Sequence, residues 1–96
     1  MSFRTEFPDY DRELYIPKGF EDYSWHNDVM PRAAKYYKNG LIGISIWQDY
    51  SSKSKREYAD EKQFIFSIEV DNEIIYEVRT NSINEIKKLA ENVQCI

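Results

Sequence analysis

The chain has little of several things: one cysteine, one histidine, three glycines and three prolines in 96 residues. A single thiol, Cys95, cannot close an internal disulfide, so a reducing, cytoplasmic setting is expected. His26 and Cys95 lie almost seventy positions apart. That spacing fits no ligand set, so no metal and no cofactor is expected. The scarcity of Gly and Pro excludes a low-complexity chain. No apolar run approaches the ~20 residues of a membrane span. Residues 1–20 are acidic and lack an apolar centre, which predicts no signal peptide. No established catalytic or cofactor motif is present.

What the chain does have is aromatic and charged. Aromatic residues make up 16% of it, eight of them tyrosine, and 31% of positions are charged. Disordered chains lack aromatics, so an ordered fold is expected. The length predicts one domain, below the common ~100–150 residues, with a core too small to spare a buried binding cavity. The net charge of −4 is uneven. Residues 1–31 carry three basic and seven acidic side chains, residues 32–62 seven and four, and residues 63–96 three and six. Generic nucleic-acid binding is disfavoured, and a basic strip in the middle third stays open.

Residues 1–31 show no clean period and read as an irregular acidic arm, with a short strand possible at Leu14-Tyr15-Ile16. Asn39-Gly40 between apolar flanks predicts a two-residue type I′ hairpin. It joins a strand over Arg32–Lys38 to one over Leu41–Tyr50 and sets Tyr36 opposite Gly43. The competing reading makes residues 31–38 a short helix stopped by Gly40. Phe64, Phe66, Ile68 and Val70 alternate, as do Ile74, Tyr76 and Val78. A three-residue turn over 71–73, with Asn72 or Glu73 left-handed, would put both sets on one face: Val70 opposite Ile74, Ile68 opposite Tyr76, Phe66 opposite Val78. Ser82-Ile83-Asn84-Glu85 is a capping box. It opens a helix over 82–93 whose stripe Ile83, Ile86, Leu89, Ala90 and Val93 needs burial. The expected fold is α+β: a four-stranded antiparallel meander over 32–80, the C-terminal helix on one face, and the arm.

Three constellations could carry chemistry. Ser24 to Pro31 holds His26, the only histidine and so the one residue of a type whose unperturbed pKa lies near neutrality, with Asp22 and Asp28 close by. Its functional reading is a general base or a one-histidine metal ligand. Its structural reading is a corner, in which Trp25 plugs the core and His26, Asn27 and Asp28 bond turn amides. A catalytic constellation needs a second activated group and none is placed, so the corner is preferred. The loop Ser51–Lys62 contains Lys53, Lys55 and Arg56, bracketed by Tyr50 and Tyr58. It reads as a basic finger for phosphate or an acidic partner, or as a solvated loop. The acidic set Glu69, Asp71, Glu73 and Glu77, with Asp9, Asp11, Glu13, Glu21 and Asp22, reads as a phosphate-mimicking surface or as ordinary exposed charge.

Ser24-Trp25-His26-Asn27-Asp28, followed after two residues by Pro31, resembles a motif of small uncharacterised bacterial and mobile-element proteins. In those, the run leads through Pro into a short strand and then into a strand ending Trp-x-Asp. Trp47-Gln48-Asp49 matches that ending. The resemblance covers residues 20–50 and departs at Arg32-Ala33, where Ser and an aromatic are expected. It implies a strand after Pro31 and brings no activity.

The preferred functional expectation is a non-enzymatic protein-interaction domain, such as a mobile-element-encoded inhibitor of a host system. Tyr36, Trp47, Tyr50 and Tyr58 are the aromatic contacts, and Lys53, Lys55 and Arg56 the basic ones. The partner would be another protein, with a homodimer open and no membrane involved. The alternatives are a nucleic-acid module using the 51–62 loop and a small enzyme using His26.

Overall fold

A computed structural model describes residues 2–57 and 62–94. Five strands form one antiparallel sheet in chain order: β1 (Glu21–Asp22), β2 (Arg32–Tyr37), β3 (Ile42–Gln48), β4 (Phe64–Val70) and β5 (Glu73–Thr80). The expected meander of four is thus extended by one two-residue strand from the arm, with Glu21 opposite Ala34. Leu14-Tyr15-Ile16 is not a strand, and the arm opens with a one-turn helix, α1 (Phe3–Glu6). Residues 32–37 are strand and not helix.

Helix α2 (Ile83–Gln94) lies on one sheet face. Its stripe of Ile86, Ala90 and Val93 packs with Phe64, Phe66, Ile44, Ile46 and Ala33, and Ile83, Leu89, Ile68 and Val78 close the rim. Period 2 on the strands and period 3.6 on the helix put these side chains together, and their burial supplies the main driving force. The capping box is half formed. Ser82 Oγ accepts the Glu85 amide at 3.2 Å, but the Ser82 amide turns to Thr80 Oγ1 at 3.0 Å instead of to the Glu85 carboxylate.

Both turns differ from expectation while the distal register holds. Tyr36 lies opposite Gly43 and Tyr37 opposite Ile42, but residues 38–41 all leave the ladder. Asn39 and Gly40 take positive φ and Leu41 N donates to the Lys38 carbonyl at 3.2 Å, as in a type I′ turn. Lys38 is left-handed as well, at φ 52°. Leu41 is drawn out of the strand, and its carbonyl accepts the Asp71 amide at 2.9 Å, stitching the two turns together. At the other turn only Asp71 and Asn72 form the loop, both left-handed, so Val70 faces Glu73 and not Ile74. A bulge repairs the slip. Glu69 faces Ile74, Ile68 faces Tyr76, and Ile75 is the extra residue, so Tyr76 and Val78 still reach the helix face. The cost is that Ile74 is turned to the opposite face.

The arm is ordered by side chains acting as backbone substitutes. Gln48 Oε1 accepts the Tyr15 amide and Nε2 donates to the Glu13 carbonyl, both at 2.9 Å. Asp22 accepts the amides of Phe3 at 2.7 Å and Ser24 at 3.0 Å. Tyr10 Oη donates to the Asp49 carbonyl at 3.0 Å. Phe3, Phe7, Leu14 and Phe20 are buried. Among the described residues no helix is long and apolar enough to cross a membrane.

Candidate functional site

The sheet face turned away from α2 is built in rows across the strands. Arg32, Trp47, Ile65 and Arg79 are successive partners in one row, and Ala34, Ser45, Ser67 and Glu77 in the next. A third row holds Tyr36, Gly43, Glu69 and Ile74. Three small residues in the middle row, flanked by Trp47 and Tyr36, make a trough. Gly43 keeps the third row low as well. A Cβ there would come within 2.8 Å of both Glu69 Oε1 and Tyr36 Cε1.

Arg32 closes the trough at the β2 end. Its guanidinium lies 5.0 Å from the Trp47 ring centre and 5.7 Å from that of Tyr23, within cation–π range. Nη1 donates to Tyr36 Oη at 3.1 Å and to Ser45 Oγ at 3.3 Å. Nε is buried without an acceptor. No carboxylate pairs with this guanidinium among the described residues. On the far side of Trp47 is a recess of about 310 Å³, walled by Met30, Val29 and Asp28 of the corner loop and floored by Ile65 and Ser67. Glu77 and Ile74 form its outer rim on β5.

A larger recess of about 520 Å³ lies between the arm and the helix face, beside Tyr15, Gln48 and Gln63. Its two glutamines are already engaged. Gln48 is bonded at both ends, and Gln63 Nε2 donates to the Asp49 carbonyl at 3.4 Å.

The residues expected to form one contact surface fall into two places. Tyr36 and Trp47 share the trough, with Trp47 half-buried. Tyr50 points at the arm, where its hydroxyl donates to Asp9 at 2.9 Å and its ring meets Tyr10 at 5.3 Å. Burial first, then the bond to Asp9, pushes its phenol up to about 12. Arg56 acts as a loop clip, donating to the carbonyls of Tyr50 and Ser51 at 2.8 Å and to Asn81 at 3.2 Å. Lys53 and Lys55 are exposed, with Lys55 Nζ 5.6 Å from the Tyr50 ring centre. Tyr58 lies outside the described residues, as does Cys95. The acids of the arm serve it internally: Asp9 takes Tyr50, Asp11 takes Ser51, and Glu13 takes Arg4.

The Ser24–Pro31 corner is folded differently from expectation. Trp25 does not plug the core but is 42% exposed, its ring tilted against that of His26 with centres 4.2 Å apart. The plug is Met30, with Ser24 and Pro31 also buried. The Asp28 amide donates to the Trp25 carbonyl at 2.9 Å, closing the turn. Asp22, Asp28 and Asp49 do not orient the exposed His26 ring. Glu6 does, at 2.9 Å from Nδ1. The ring bond, then the bond from the His26 amide, holds the Glu6 carboxyl below its usual range. Asp49 is buried and accepts the Tyr50 amide at 2.8 Å and the Glu57 amide at 2.9 Å.

Sequence reasoning missed Arg32 and Glu6. Arg32 was legible through spacing, since it shares strand parity with Tyr36 and pairs with Trp47. Glu6 meets His26 across twenty positions of aperiodic chain, and no local pattern marks it.

No protein-family model, curated protein or solved structure matches the chain.

Proposed function

We propose that the protein is a protein-interaction domain that docks through the trough on the face opposite α2. The observation that carries this reading is Arg32, held between Tyr23 and Trp47 with Nε lacking an acceptor. Arg, Trp and Tyr are the residue types that dominate interface energies, most of all when clustered in a partly desolvated patch. A small-residue floor between aromatic walls receives a side chain from outside without rearrangement of the sheet. The apolar surface continues past the trough onto β5, where Ile74 and Ile75 are 62% and 63% exposed. Contiguous exposed apolar residues of this kind mark interaction surfaces.

The test is site-directed photocrosslinking in cells that make the chain. A crosslinking residue at Ile74, on the rim of the trough, is compared with one at Lys88, an exposed position on α2. Discrete crosslinked protein species at position 74 and none at 88 are expected. No product at 74, or the same products at both positions, would overturn the reading.

A further inference from the structure

We infer that the trough takes an extended segment of another protein whose charges are polarised: an acidic side chain at one end, apolar in the middle, basic at the other. This inference rests on the docking face proposed above and adds the chemistry of what occupies it. The acidic end follows from Arg32. The Tyr23 and Trp47 rings fix the guanidinium, and Nη1 is spent on Tyr36 and Ser45. Nη2 carries no hydrogen bond and is not buried, and Nε lacks an acceptor. A fixed guanidinium whose Nη2 is open, though its Nε is buried, matches a carboxylate at that one nitrogen. No carboxylate of this chain supplies one among the described residues.

The apolar centre follows from the recess beyond Trp47, lined by Met30, Ile65 and Ile74. Its volume of about 310 Å³ has room for a large apolar side chain. The basic end follows from Glu77 on the outer rim and Asp28 on the corner-loop wall; Arg79 Nε, 3.8 Å from Glu77 Oε1, offsets part of that charge. The two carboxylates would repel a second acid and attract a cation. The electrostatic axis therefore runs across the strands, from Arg32 on β2 to Glu77 on β5. Three interstrand steps span about 14 Å, which an extended chain covers in roughly four residues.

The experiment selects binders to the full chain from a displayed library of random linear peptides. Enriched peptides are expected to carry Asp or Glu and, about four positions away, Lys or Arg, with an apolar residue between. Arg32→Gln should weaken the best peptide by about tenfold or more, the scale of a lost charge-assisted hydrogen bond. Glu77→Lys, an exposed change on β5, should shift the selection toward peptides acidic at both ends. It decides the matter if Arg32→Gln fails to fold. Peptides without an acid, or selections unchanged by both substitutions, overturn the polarised segment. They leave the docking face standing only if Trp47→Ala abolishes their binding. If no peptide is enriched, or if binding ignores Trp47→Ala, both readings fall.

Discussion

At the scale of single residues, the trough depends on what is missing from position 43. Gly43 leaves room for the Tyr36 ring and the Glu69 side chain, each of which a Cβ would meet at 2.8 Å. Glu69 can swing away, but Tyr36 is held by Arg32 Nη1 and by an edge contact with Tyr23 at 5.2 Å. Gly43→Ala should therefore displace the ring and cost about 1–3 kcal/mol, as overpacking does. Urea unfolding would measure it, and loss of peptide binding should accompany it. Two carboxyls with lowered values lie elsewhere, in the arm. Glu6 is lowered from 4.5 by His26, and Asp11 is lowered from 3.8, first by the Ser51 hydroxyl. Lowered folded-state values mean that each carboxylate favours the docked arm while ionised. The contribution is complete above these ordinary values and disappears as pH falls through the lowered ones. An acid titration of tryptophan fluorescence should report arm loosening there, because the Trp25 ring lies tilted against that of His26. Glu6→Gln should remove part of that acid response; an unchanged profile would show that the Glu6–His26 contact does not hold the arm.

At the scale of elements, the turns set which side chains face the trough. The strand parities, the helix stripe and the pairings Ile68–Tyr76 and Phe66–Val78 were legible in the sequence, because burial of one face fixes them. The loop at 71–73 was not. Two solutions deliver the same distal register, a three-residue turn or a two-residue turn with a bulge, and alternation of apolar residues cannot separate them. The structure uses the second because Asp71 and Asn72 both tolerate left-handed backbone, and their I′ geometry matches strand twist. That choice is what presents Ile74 on the trough side. In the first hairpin, Asn39-Gly40 behaved as its composition dictates, but the contact between the Leu41 carbonyl and the Asp71 amide was invisible locally. Beside it Lys38 takes φ 52°, a conformation unfavourable for a residue with a Cβ. Lys38→Gly should relieve this and raise stability by about 1 kcal/mol. Thermal unfolding would check it, with no expected change at the trough, which lies further along the sheet.

At the scale of the whole molecule, the arm is a working part of the fold and not an appendage. Phe20 belongs to the same buried cluster as Ile86 and Phe66. Phe20→Ala should cost about 3–5 kcal/mol, a large part of the ~5–15 kcal/mol typical of a domain, and denaturant unfolding should show it as a shifted midpoint. The sequence could not show how the arm is held, because its anchors have no periodic signature: the side chains of Gln48 and Asp22 and the backbone carbonyl of Asp49. Those anchors also impose an order of events. Tyr10 bonds to Asp49 across 39 positions and Asp11 to Ser51 across 40. During synthesis, residues 2–20 emerge well before β3 exists, with Phe3, Phe7 and Leu14 uncovered. Tyr10, Asp11, Glu13 and Tyr15 acquire these hydrogen-bonding partners only once Gln48 to Ser51 have followed. Long-range closures of this kind come late and slow folding. The arm leaves the ribosome before the residues that hold it, so it is among the last pieces to dock and its apolar side chains stay uncovered in the meantime.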